Sequence, residues 1–286
     1  MKRTLYLIAS VTLFCCANVF AQLNLPRESQ RQSVSQTIGD TTVSIVYHRP
    51  NVKERIIWGN LVPFNQVWRS GANEATVFEI SRDVTVDGKP LPAGKYSLHT
   101  IPNKNEWTII FNRVWEQWGS FTYDEKQDAL RVPVKPEKTD FHETLSYNFE
   151  NIAANSAQVS IAWEKVKVPF TINAGDVSGR ALENIRRAMA NLKADDLRTP
   201  REAANWVLTM KKPAYYPEAL GWLETGLKKR ETYPLLYSKA RLLAEMGKKQ
   251  DAIAVAEKAI QVGKAATPAA NTADMEKLLN EWKTEK

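Results

Sequence analysis

The chain has 286 residues, a quarter of them charged, and a formal net charge of +7. Acidic and basic residues alternate, and no Lys/Arg cluster interleaves with aromatics, so the usual nucleic-acid footprint is lacking. The one long apolar run, at the start, is too short for a membrane-spanning helix of about 20 residues.

That run reads as a targeting signal. Lys2 and Arg3 precede an apolar core from Leu5 to Phe14, and Val19-Phe20-Ala21 offers a cleavage site before Gln22. The expected location is therefore periplasmic or secreted, after cleavage near Ala21. Cys15 and Cys16 both fall inside this segment, and Phe14 and Cys15 stand where lipidation of Cys16 calls for small residues. Removing 21 residues from 286 leaves 265 without a cysteine, and losing Lys2 and Arg3 lowers the charge from +7 to +5. A cysteine-free exported chain of this size must be held by burial, in one or two domains, with no membrane span in the mature form.

Residues 22–174 are expected to form an antiparallel β-sandwich. From Thr41 the apolar pattern has period two: Val43, Ile45 and Tyr47, then Thr76, Phe78 and Ile80. Asp87-Gly88 lies between short strands as a two-residue hairpin turn, because glycine accepts positive φ. Strands follow at Lys95–Ile101, Trp107–Asn112 and Leu130–Val134, with alternation again over Phe141–Phe149, Val159–Trp163 and Val166–Ile172. No long helix intervenes, which argues against a parallel α/β sheet.

Residues 175–286 switch to a helical period, giving a two-domain α+β protein. Leu182, Ile185 and Met189 share a stripe, and Thr199-Pro200 reads as an N-cap followed by a first-turn proline. "YYPEALGWLETGL" aligns with "KKQDAIAVAEKAI" at an offset of 33 residues, pairing Ala219 with Ala252, Leu223 with Ala256 and Gly226 with Ala259. Period and small positions resemble a tetratricopeptide repeat, with Gly247 at the inter-helix turn, although two repeats fall short of the three or so a free-standing solenoid needs.

Chemistry is sparse. His48, His99 and His142 have no short-spaced partner, GxSxG is absent, and neither a metal nor a cofactor is expected. Trp107 alternates with Ile109 and Phe111 and reads as core, while Trp115 and Trp118 are equally good as core or as an aromatic platform for a sugar. The densest polar cluster is Trp68-Arg69-Ser70-Gly71-Ala72-Asn73-Glu74. With Arg49 and Arg55 it offers guanidinium donors for a carboxylate or phosphate. The competing reading, which we favour, is a closed loop in which Arg69 latches onto Glu74. The candidate ligand-binding set is Arg49, Arg55, Trp68, Arg69, Asn73 and Glu74, with His99 from the Lys95–Ile101 strand; no catalytic residue is assigned.

"YHRPNVKERIIWGNLVPFNQVWRSGANEAT", "LPAGKYSLHTIPNKNEWTIIFN" and "DALRVPV" resemble a secreted bacterial family, domain of unknown function 2911, over residues 32–172. His48 stands where that resemblance leads one to expect serine. The resemblance implies an exported β-rich domain and supplies no activity. The resulting expectation is a periplasmic, non-catalytic protein whose helical repeats engage a protein partner. Alternatives are a sandwich that binds a small anionic or glycan ligand through Arg and Trp, and a hydrolase using Glu74.

Overall fold

The computed structural model describes residues 25–284; the signal-like segment and both cysteines lie outside them. The chain divides after Asn173 into two units.

Among the described residues, the first unit contains ten strands in two sheets. In chain order they are β1 (Gln30–Ile38), β2 (Thr41–Arg49), β3 (Thr76–Ile80), β4 (Val84–Val86), β5 (Lys89–Leu91), β6 (Gly94–Ile101), β7 (Trp107–Asn112), β8 (Asp128–Val134), β9 (Glu137–Glu150) and β10 (Ser156–Asn173). One sheet has the order β1-β2-β3-β6-β7-β8, the other β5-β4-β10-β9, and every strand pairing is antiparallel. Alternation dictates the packing, because each strand points every second side chain to one face. Phe78 of β3 and Phe111 of β7 meet Phe170 of β10 across the sheets at 6.3 and 6.1 Å. Tyr47 of β2 meets Tyr147 of β9 edge-on at 4.6 Å. Asp87 (φ 45) and Gly88 (φ 81) close the β4–β5 hairpin, with Val86 paired to Lys89.

Two features depart from the sequence reading. β1 was not expected, because its half-buried positions include Gln32 and Gln36, so its alternation is not apolar. It is an edge strand, and a polar edge resists pairing with other chains. Tyr47 secures it by donating its hydroxyl to Gln32 Oε1 at 2.6 Å. The expected strands 159–163 and 166–172 are one strand, β10, interrupted at Glu164, which has φ 56 and a register shift on each side. That bulge moves the buried set from odd positions (Val159, Ile161, Trp163) to even ones (Val168, Phe170, Ile172).

Among the described residues, the second unit has six α-helices: α1 (Val177–Ala190), α2 (Arg198–Met210), α3 (Tyr216–Lys229), α4 (Tyr233–Glu245), α5 (Lys249–Ala265) and α6 (Ala273–Thr284). Asp196, not Thr199, caps α2: its carboxylate accepts the N–H groups of Arg198 and Thr199 and the Thr199 hydroxyl. α4 joins two cores. Leu235 and Leu242 pack with Ala203, Val207 and Leu223, while Leu236 and Ala240 pack with Ala256, Ala259 and Met275. The segments offset by 33 residues occupy α3 and α5. A Cβ on Gly226 would meet Leu235 Cδ2 at 3.1 Å, so its missing side chain allows the close α3–α4 approach.

Candidate functional site

Two irregular connections, β2–β3 and β7–β8, carry the polar residues of interest. In the first, Trp68 exchanges both backbone hydrogen bonds with Thr100 of β6, at 2.8 and 2.9 Å. Its ring stacks on Trp163 at 5.9 Å, and its Nε1 donates to the Gly71 carbonyl at 3.2 Å. Ser70 and Asn73 take left-handed φ values of 53 and 57. A Cβ on Gly71 would sit 3.1 Å from the His48 carbonyl oxygen, so only glycine fits there without movement. The buried Ser70 carbonyl accepts the Tyr147 hydroxyl at 2.8 Å and the Thr76 hydroxyl at 3.0 Å.

The loop is therefore closed, but not by Arg69 and Glu74. Tyr147, Thr76 and the Trp68 indole hold its carbonyls, while the Glu74 carboxylate receives Arg27 Nη1 at 2.7 and 2.6 Å. Asn73 explains why Arg27 is within reach: its Nδ2 donates to the Ser29 carbonyl at 3.3 Å, laying the segment before β1 alongside the loop. Arg69 instead lies against Gly119, and its buried Nε has no hydrogen-bond partner among the described residues. Burial alone pushes its guanidinium below the ordinary arginine value. Since Arg69→Met breaks no ion pair, it is expected to leave unfolding free energy unchanged within about 1 kcal/mol. A larger loss in a urea melt would mean that the Arg69 side chain stabilises the fold through its packing beside Gly119.

Glu74 faces a cleft of about 760 Å³ whose lining includes Arg27, Arg31, His48, Glu74, Trp115, Glu116 and Trp118. Trp115 and Trp118 come from the β7–β8 connection, which is fastened by a backbone bridge between Glu74 and Trp118. The Arg27 guanidinium carbon lies 5.4 Å from the Trp118 ring centroid, and Lys95 Nζ lies 5.1 Å from that of Trp115. Trp118 is 53% exposed, unlike Trp107 and Trp163, which are core.

The charges within the cleft follow from these contacts. Burial pushes the Glu74 carboxyl up, but the Arg27 hydrogen bond, its own backbone N–H and the charges of His48 and Arg27 outweigh it. The carboxyl ends below the usual range and stays ionised. Burial lowers the His48 imidazole, Glu74 opposes this, and Arg27 and Arg31 lower it further, so His48 is neutral near pH 7. Its Nδ1 stands 3.4 Å from Glu74 Oε2. Acid catalysis of glycoside cleavage needs a carboxyl held protonated, the opposite of what Glu74 experiences.

The remaining candidates lie elsewhere. Arg49 Nε donates to the Leu145 carbonyl at 2.9 Å, fastening β2 to β9. Arg55 caps the Val52 and Asn51 carbonyls at 3.0 and 2.5 Å. The structure does not bring Arg49, Arg55 and Arg69 together at the cleft.

His99 is fully buried, with Ser120 Oγ at 3.1 Å from Nδ1 and Ser97 Oγ at 3.1 Å from Nε2. The Ser97 hydroxyl donates to the Val114 carbonyl at 2.8 Å, so Ser97 can only accept from the ring. This assigns the proton to Nε2 and makes Nδ1 the acceptor of the Ser120 hydroxyl. A Ser–His pair so arranged has the geometry of a nucleophile and base. Burial, however, pushes His99 down to about 4, despite the opposing charge of Asp128, too low for an effective base at neutral pH. Its hydrogen bond to Ser120 ties the β7–β8 connection to β6. Among the described residues no three His, Cys, Asp or Glu side chains converge to hold a metal ion.

Sequence reasoning misses Arg27 and Arg31, which sit in a polar stretch without periodicity. Trp115 and Trp118 were visible as candidates through their density in a loop. The family described as "Protein of unknown function (DUF2911)" matches residues 29–172, just over half of the chain. No curated protein and no solved structure matches.

Proposed function

The chain belongs to the DUF2911 family, and from that premise we propose an exported, non-catalytic binding protein whose cleft beside Trp118 takes a glycan. Export rests on the signal-like N-terminus. The observation that carries the binding role is the cleft itself: an exposed indole stands next to an ionised carboxylate and a guanidinium. Ligand sites combine apolar, often aromatic walls with a few placed polar groups. Arg27 and Arg31 are balanced in the lining by Glu74 and Glu116, so no strong positive field favours an anion. A polyhydroxylated ring instead stacks its apolar face on the indole and directs its hydroxyls to the Glu74 carboxylate. On a glycan array the protein is expected to bind a defined subset of sugars. Trp118→Ala should weaken that binding at least about tenfold while changing unfolding free energy by no more than about 1 kcal/mol. Unchanged binding in Trp118→Ala would remove the cleft from the reading.

A second reading concerns the helical unit. Ala219 and Ala252, Leu223 and Ala256, and Gly226 and Ala259 are all buried, while Glu224 and Glu257 are both exposed. This matched burial supports a tetratricopeptide-like repeat, an architecture that presents surfaces to protein partners. Affinity capture with the full chain should then recover a partner that is lost when residues 176–286 are deleted. Retention of every partner by the truncated chain would contradict it.

A further inference from the structure

We propose that the Trp118–Glu74 corner of the cleft is a cation subsite, which Arg27 fills in cis and which the protonated amine of an amino-sugar ligand takes over. The inference rests on the glycan reading above and names the charge of its ligand. An aromatic face and a carboxylate converging on one point are the two elements that recognise an ammonium or guanidinium group. Here both converge on Arg27: Glu74 oxygens at 2.6 and 2.7 Å, and the Trp118 ring centroid at 5.4 Å.

Arg27 is a replaceable occupant. It precedes β1 and sits outside both sheets, held by Gln30 Nε2 on its carbonyl at 2.7 Å and by Asn73 on the Ser29 carbonyl. Its side chain and that of Glu74 are 45% and 43% exposed, and an exposed pair adds little stability, so a competing cation displaces it at small cost. When Arg27 moves aside, Glu74 loses both of its short hydrogen bonds and faces the exposed indole, with His48 Nδ1 beside it at 3.4 Å. The cleft also holds Trp115, with Lys95 Nζ 5.1 Å from its ring centroid, and its volume of about 760 Å³ suits linked sugar rings better than a lone basic side chain.

The test is isothermal titration of the purified full chain with a glucosamine oligosaccharide and with its N-acetylated counterpart, which has the same rings without the charge. The free-amine form should bind at least about tenfold more tightly. Arg27→Ala should strengthen that binding about threefold or more, since removing an internal competitor raises the competent fraction. Arg27→Lys, which restores a cation in cis, should return it towards the original value. Glu74→Gln should erase the preference between the two forms. Equal binding of both forms, or a preference that survives Glu74→Gln, overturns the cation subsite while leaving the glycan reading intact. Binding of neither form, in the original protein and in Arg27→Ala alike, overturns the subsite; an array that also records no sugar removes the glycan reading as well.

Discussion

Replacing Trp163 with alanine is expected to destabilise the strand-rich unit by about 3–5 kcal/mol, the range for deleting a buried large aromatic. Trp163 is 1% exposed on β10. Its indole stacks on Trp68 at 5.9 Å and meets Trp58 edge-on at 5.8 Å, while its Nε1 donates to the Glu143 carbonyl at 3.3 Å. Alanine would leave a cavity beneath the β2–β3 connection and strip Trp68 of its packing partner, so the loop that presents Glu74 should loosen as well. Urea unfolding followed by circular dichroism measures this directly. A loss below about 1 kcal/mol would mean that the tryptophan cluster does not organise the unit. The contrast with Trp118→Ala is the useful part, because the two substitutions remove the same side chain from a core and from a cleft.

Acid should weaken the same unit before its carboxylates titrate. Burial holds His99 at about 4 in the folded state, against about 6.5 for an ordinary histidine. Between those values the unfolded chain binds a proton that the folded chain refuses, so stability rises with pH across the window and is lost as pH falls. The full difference corresponds to about 3 kcal/mol, complete only near pH 4. His48, also lowered by burial, acts in the same direction. Unfolding free energies measured from pH 7 to pH 4.5 should therefore decline, and His99→Gln, which does not titrate, should flatten most of the slope. An equally steep decline in His99→Gln would assign the acid sensitivity to other groups.

Much of the fold is legible in the sequence because it is written locally. Val43, Ile45 and Tyr47 alternate because one face of β2 is buried, and Asp87-Gly88 reads as a turn because the backbone there needs positive φ. β1 is not legible, since an edge strand with glutamines on its inner face lacks the apolar rhythm by which strands are recognised. The phase change across Glu164 is visible in the residues, yet a bulge and a chain break leave the same trace in one sequence.

The site is less legible still. Glu74 stands out in its loop, but the nearest cation in sequence, Arg69, is not its partner. Arg27, 47 residues away, is, and nothing local encodes that pairing. His99 and Ser120, 21 residues apart on a strand and a loop, meet for the same reason: tertiary folding brings them together. Trp118 was recognisable by type, whereas its exposure depends on how the β7–β8 connection is tied to Glu74.

A sugar stacked on Trp118 beside the Glu74 carboxylate would shift that indole's own signals. Indole N–H resonances of the nine tryptophans, followed during titration with a glycan identified by the array, test it most directly. The Trp118 resonance should move most, with Trp115 next, while those of Trp68, Trp107 and Trp163 hold still. Movement confined to the buried cluster, with Trp118 unaffected at saturation, would contradict it.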